Sequence, residues 1–160
     1  MNANNSLDPV DRKILSILQE NGRITNVKLA AEVGLSPPTV LERVRKLEER
    51  GIIEKYVALV NPAKVGWGLC AFVLVSLSFH RRKEIDRFRT EVLDLPEVLE
   101  CYHVAGEGDY LLKVAARDIQ AYRDFLVTRV TTVEVVQRVQ TMIVFETMKR
   151  ETKLFVDEDQ

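Results

Sequence analysis

Histidine, cysteine and tryptophan are scarce in this sequence: two His, two Cys and a single Trp among 160 residues. Cys70 and Cys101 lie far apart, each within an apolar run, and no CxxC or HxxxH spacing occurs. A structural or catalytic metal needs more ligands at closer spacing. No metal site and no cofactor is therefore expected, and the two thiols read as small buried hydrophobes. His80 and His103 are isolated from each other. No nucleophile stands beside a base and no phosphate loop is present; Asp109 with His103 is the nearest acid–base pair, and it specifies no reaction, so an enzyme is not expected. Charge of one sign is also lacking. The net charge is −1, so any contact with nucleic acid must come from a local basic surface. No charged-then-apolar leader opens the chain. The longest apolar stretch, residues 69–79, is broken by Ser76 and Ser78 and falls well short of the ~20 residues of a membrane helix. These absences point to a cytoplasmic protein with no membrane partner.

What is present is ordinary globular composition, 46% apolar and 29% charged, long enough for two small domains. Asp8-Pro9 opens a first helix: Asp8 can cap free N–H groups, and Pro9 suits the first turn. Val10, Ile14, Ile17 and Leu18 form its apolar stripe, and Asn21-Gly22 closes it. Thr25 or Asn26 caps a short second helix with Val27, Leu29, Ala30 and Val33 as its buried side. Gly34 stops it, and Ser36-Pro37 starts a third at once. A short helix, a Gly-containing turn and a newly capped helix make a helix-turn-helix.

The third helix is expected over residues 37–50, seated by Val40, Val44 and Leu47. Its far side carries Pro38, Thr39, Glu42, Arg45 and Lys46, flanked by Arg43. Ser36, Thr39 and the helix N-terminus can donate to phosphate, while Arg43, Arg45 and Lys46 can reach phosphates or guanine edges. Residues 52–59 read as a strand, the wing of a winged variant. Ser36, Pro38, Thr39, Glu42, Arg43, Arg45 and Lys46 are thus the expected face toward double-stranded DNA.

Residues 61–68, with one Pro and two Gly, break the pattern and read as a linker. Beyond them the periodicity changes. Leu69–Leu77 is a β-branched and aromatic run. Ile85, Phe88, Val92 and Leu95 mark an amphipathic helix ended by Pro96. Residues 98–105 and 110–115 read as strands around the turn Gly106-Glu107-Gly108-Asp109. Ile119, Tyr122, Phe125, Leu126 and Val130 mark another helix, and residues 133–147 a long last strand. The order β-α-β-β-α-β folds as a four-stranded antiparallel sheet with both helices on one face, a ferredoxin-like sandwich. Its other face would be apolar, which implies a two-fold homodimer, and a dimer would present two reading helices to two half-sites. The expected class is α+β in two domains: 1–60 winged helix-turn-helix, 61–68 linker, 69–148 ferredoxin-like assembly and sensing domain, 149–160 tail. In the tail, Leu154-Phe155-Val156 could add an edge strand or cover a neighbour, and the acidic end is expected to be solvated.

The blocks Leu7-Asp8-Pro9-Val10-Asp11-Arg12-Lys13-Ile14-Leu15, Asn21-Gly22-Arg23, Gly34-Leu35-Ser36, Leu41-Glu42-Arg43-Val44-Arg45-Lys46-Leu47-Glu48 and Val104-Ala105-Gly106-Glu107-Gly108-Asp109-Tyr110, in this order and spacing, resemble the Lrp/AsnC (feast/famine) transcriptional regulators over nearly the whole chain. The resemblance implies a dimer that associates further, often to an octamer, and an amino-acid effector bound between dimers. It implies effector contacts at Gly106, Gly108 and Asp109, and at Thr141 from a Thr-x-Thr pair whose first place here holds Val139. Val135-Val136 likewise replaces the family's Gly-Val. A second reading, an architectural DNA-organising protein without an amino-acid switch, follows from those departures. Independently of the family, Gly lets a guest approach the backbone, and Asp109 could pair with an α-ammonium group; the same residues also suit a plain hairpin turn.

Overall fold

The computed structural model describes residues 7–78 and 82–156; His80 and the acidic end 157–159 lie outside them. The chain forms two compact units, one running to Leu59 and resuming at Lys149, the other Val60–Met148.

In the first unit, α1 (Pro9–Glu20), α2 (Asn26–Val33) and α3 (Pro37–Glu49) start where local chemistry dictates. The Asp8 carboxylate accepts the Asp11 N–H at 2.7 Å, Thr25 accepts Lys28 N–H at 3.3 Å, and Ser36 accepts Thr39 N–H at 3.4 Å. Each capping oxygen satisfies a donor with no partner inside its helix. Between α2 and α3, Gly34 sits at φ 72°, a left-handed conformation that costs other residues a steric clash. The turn therefore closes at once, and the two helices of the motif follow without slack. Ile14, Leu29, Val40 and Leu47 are fully buried between the three helices.

Two expectations change here. Val27, read as part of the buried side of α2, is 67% exposed. Leu29, Ala30 and Val33 already form the seat at helical spacing, and a residue two places before Leu29 points the other way. Residues 52–59 form no strand. The Ile52 and Ile53 amides both bond back to Leu47 O as the closing turn of α3, their side chains pack against the helical core, and no partner strand lies beside 52–59 among the described residues.

Residues 149–156 belong to this unit. The Gln19 side chain accepts the Leu154 N–H at 2.7 Å and donates to Leu154 O at 3.0 Å. Lys153 pairs with Glu20, and Val156 packs against the helical core. Residues 149–156 hold α1 without forming an edge strand. Truncation after Met148 should lower the stability of this unit by about 1 kcal/mol, the scale of one lost hydrogen-bond pair and part of one apolar side chain; thermal unfolding would show it.

The second unit begins with a 3-10 turn, Pro62–Val65, where a plain linker was expected. Then follow β1 (Leu69–Leu77), α4 (Arg82–Val92), β2 (Val98–His103), β3 (Tyr110–Ala116), α5 (Ile119–Phe125) and β4 (Val136–Ile143). All pairings are antiparallel, in the order β2-β3-β1-β4, the ferredoxin-like arrangement. Strand alternation divides β1: Ala71, Val73, Val75 and Leu77 pack against Phe88, Val92, Tyr122 and Phe125, while Cys70, Phe72, Leu74 and Ser76 are half-buried on the opposite face. Cys70 and Cys101 are free thiols, half-buried in place of the full burial expected; burial pushes the Cys101 thiol up.

The last helix is not uniform. After α5 the backbone opens into a π turn over Leu126–Val130. Thr128, Thr131 and Thr132 hydroxyls bond to carbonyls four residues back, a competition that loosens regular helix, and Val130 still reaches the core. The last strand stops short of the expected 133–147 because its partner β1 ends: the ladder closes at Ile143 opposite Ala71, with one further bond from Val144 N–H to Cys70 O.

Candidate nucleic-acid interface and ligand groove

With Val40, Val44 and Leu47 buried, the opposite side of α3 is open. Ser36, Pro38, Thr39, Glu42, Arg45 and Lys46 are all exposed. Ser36 and Thr39 hydroxyls lie 2.7 Å apart at the helix start. Pro37 and Pro38 carry no N–H, and the Thr39 and Val40 N–H groups already bond to Ser36, so the helix start offers hydroxyls, not free amides, to a phosphate. Lys46 pairs with Glu42 at 2.7 Å and Arg45 with Glu49 at 3.5 Å, one turn apart on the helix. The Lys46 ammonium, as hydrogen-bond donor and then as charge, lowers the Glu42 carboxyl. Such exposed pairs are weak because solvent screens them, so a phosphate can take either cation.

Arg43 differs. Position 43 lies three residues from Val40 and four from Leu47, at the edge of the seat, not on the open side. Its guanidinium turns back onto α1, donating to Asp8 at 2.5 Å and to Asp11 at 2.8 Å. These hydrogen bonds hold the Arg43 pKa above its ordinary value. The Asp8 carboxyl is held below its ordinary value, first by the Asp11 N–H and then by Arg43. Of the seven residues grouped as the reading face, Arg43 is thus set apart as a clamp between helices. A lowered carboxyl stabilises the fold at pH above its unfolded value and loses that contribution as pH falls through the folded value. Asp8→Asn should therefore destabilise the reading unit at neutral pH by less than about 1 kcal/mol, given its exposure, and the difference from wild type should vanish in acid. Urea titrations at several pH values would measure it.

In the second unit, Gly106, Glu107, Gly108 and Asp109 border an open groove of about 700 Å³ with Ser76, Leu77, Gln137 and Arg138. The β1–β4 register shifts between Ser76 and Leu77, and at that shift the Leu77 N–H donates to the Asp109 carboxylate at 2.7 Å. Asp109 N–H in turn donates to Val75 O, and Asp109 O accepts Val104 N–H, both at 2.9 Å. The turn is pinned on two sides. A Cβ on Gly108 would fall 2.5 Å from the Leu74 side chain, so the turn lies close on the sheet and glycine is needed there. Arg138 and Glu107 form no ion pair with another described residue. Sequence reasoning missed both; the only signal was the alternation of β4, which puts Arg138 opposite Ser76.

Thr141 is not brought to this groove within the chain. It lies opposite Val73, on the helix-covered face, with its hydroxyl 2.5 Å from the Tyr122 hydroxyl. Tyr122 is buried, and that burial raises its pKa, with the Thr141 bond acting the other way. Val139 shares this face and packs against the core. His103 stacks on Tyr110 at 5.0 Å. No group of three metal-binding side chains occurs among the described residues, and no helix of theirs is long and apolar enough to cross a membrane.

A capped helix-turn-helix whose third helix leaves Arg45 and Lys46 exposed, joined to a separate ferredoxin-like unit with a polar groove, defines a DNA-binding regulator with a sensing domain. Residues 7–54 match the winged helix-turn-helix DNA-binding model, and residues 70–154 match the Lrp/AsnC ligand-binding domain. The chain belongs to the Lrp/AsnC family of transcriptional regulators. It is 42% identical over 143 residues to the leucine-responsive regulatory protein of Rhizobium meliloti, covering 89% of this chain and 92% of the relative. It is 41% identical over 150 residues to the protein of that name from Escherichia coli, covering 94% and 92%. A Neisseria meningitidis transcriptional regulator solved as a complex with L-methionine superposes with a TM-score of 0.88 at 40% identity, covering 93% of this chain and 96% of that one.

Proposed function

We propose that two copies of this chain pair through the open sheet face around Phe72 and Leu74, associate further toward an octamer, and act in the cytoplasm on promoter DNA. Pairing presents two α3 helices to half-sites about 34 Å apart. Ser36, Pro38, Thr39, Glu42, Arg45 and Lys46 face the DNA. Lys46 and Arg45 exchange their helix partners for phosphate or guanine, while Arg43 sets the angle at which α3 stands on α1.

An α-amino acid occupies the groove beside Gly106, Gly108 and Asp109. Its ammonium meets the carboxylates of Asp109 and Glu107, and its carboxylate meets Arg138; charge-assisted pairs of this kind give both strength and orientation. Thr141 acts through Tyr122 and the packing of β4, without touching the ligand in the same chain. The observation that carries this reading is one groove in which a rigid turn holds an anchored acid and a second acid beside an uncommitted arginine of β4.

DNA fluorescence anisotropy with the chain's own upstream region, with and without leucine or methionine, tests it. Specific binding should exceed binding to random DNA by at least ~10³, and one of these amino acids should change that affinity in wild type but not in Arg138→Ala. Specific DNA binding that is indifferent to every amino acid would favour the architectural role.

A further inference from the structure

We propose that the recess beside the linker turn is a second small-molecule site, for an α-amino acid with an apolar side chain. This site is separate from the groove at Asp109 and does not rest on it. The recess holds about 350 Å³ and is walled by Val65, Trp67, Ala116, Ala121, Glu97 and Arg117. That size is at the small end for ligand pockets, fitting a metabolite and excluding a dinucleotide.

Its walls are fixed by backbone. The Trp67 N–H donates to Pro62 O at 2.9 Å and closes the turn. A Cβ on Gly68 would lie 3.2 Å from the Arg117 carbonyl, so the linker backbone presses on the loop after β3, as only glycine comfortably permits. On the other side, Ala115 N–H donates to Glu97 O at 2.8 Å, tying the loop before β2 to β3.

The charges at the rim carry the assignment. Glu97 and Arg117 also border a polar depression of about 550 Å³ with Asp124 and Arg129. They therefore stand at the seam between an apolar recess and a polar groove. Two opposite charges line one recess, yet neither forms an ion pair or side-chain hydrogen bond with another described residue. An α-amino acid supplies the missing partners: its ammonium to Glu97, its carboxylate to the guanidinium fork of Arg117, its side chain against Trp67 and Ala116. A bound ligand touches Val65 and Trp67 directly, so occupancy is felt in the segment that leads from Leu59 to β1.

Trp67 is the sole tryptophan of the chain, which makes its fluorescence a reporter of this recess. The full chain, titrated with leucine and with methionine, should show a saturable change in Trp67 emission with at least one of them. Leucinamide and 4-methylpentanoate, each lacking one charge, should fail to reproduce it. Glu97→Gln and Arg117→Ala, verified as folded by circular dichroism, should each weaken the response about tenfold or more, the loss of one charge-assisted hydrogen bond, while Asp109→Ala leaves it unchanged. The proposal is overturned if neither amino acid gives a saturable change, if leucinamide or 4-methylpentanoate works equally well, or if Asp109→Ala abolishes the response and Arg117→Ala does not.

Discussion

Replacing Arg45 and Lys46 together by alanine should weaken specific DNA binding by about a hundredfold or more while leaving stability and oligomeric state unchanged. Each side chain is exposed and held only by an acid one turn away on the same helix, so removing both costs the fold little. A phosphate or base contact is worth more, about 1–3 kcal/mol each. The two losses can also be told apart by salt. A missing phosphate contact should flatten the slope of log affinity against log salt by ~1, uniformly across sequences, whereas a missing base contact should relax preference at one position. Anisotropy titrations at several salt concentrations on specific and random DNA measure both. A double variant that binds as tightly as wild type would show that α3 does not read the DNA.

Arg43→Ala should do the opposite. Arg43 joins Asp8 and Asp11 across two helices, and Asp11 is among the buried residues of the unit. Removing the guanidinium leaves that carboxylate without its cation. The expected loss is about 2 kcal/mol, the range for hydrogen bonds to charged groups discounted for the partial exposure of Arg43 and Asp8. The helix-turn-helix unit should therefore melt earlier, and DNA affinity should fall because α3 is no longer held, with the salt slope of the folded fraction unaltered. Arg43→Lys should recover only part of the stability, because one ammonium lacks the fork that spans two carboxylates. A slope that falls by ~1 in Arg43→Ala without loss of stability would return Arg43 to the DNA face.

These two variants mark where sequence reasoning reached and where it stopped. The caps at Asp8, Thr25 and Ser36 are local chemistry, carried within three residues of each helix start, so the three helices and their turn can be read from the chain. The β-branched and aromatic run Leu69–Leu77 likewise reads as a strand, although its nearly unbroken apolar character does not show which face the helices cover. Arg43 shares its helix with the reading residues, and only the place of α1 across the core shows that it faces inward. Thr141 and Val139 could be grouped with Asp109 by family likeness, but the register against Val73 and Val75 puts them on the helix-covered face. The strand over 52–59 was drawn from a β-prone run, yet strand character needs a partner, and the amides of Ile52 and Ile53 are spent closing α3. No local signal marks Gln19 as the seat of Leu154, because the two are 135 residues apart. The same holds for Glu97 and Arg117, which the sheet brings to one recess.

The central claim is that the exposed side of α3 lies in the major groove while its buried side holds the helix to α1 and α2. Amide chemical shifts recorded during titration with the upstream DNA test this directly. The account predicts the largest changes at Ser36, Thr39, Glu42, Arg45 and Lys46, with Val40, Val44 and the Arg43 guanidinium little affected. Shifts concentrated elsewhere, with residues 36–46 unmoved at saturation, would contradict it.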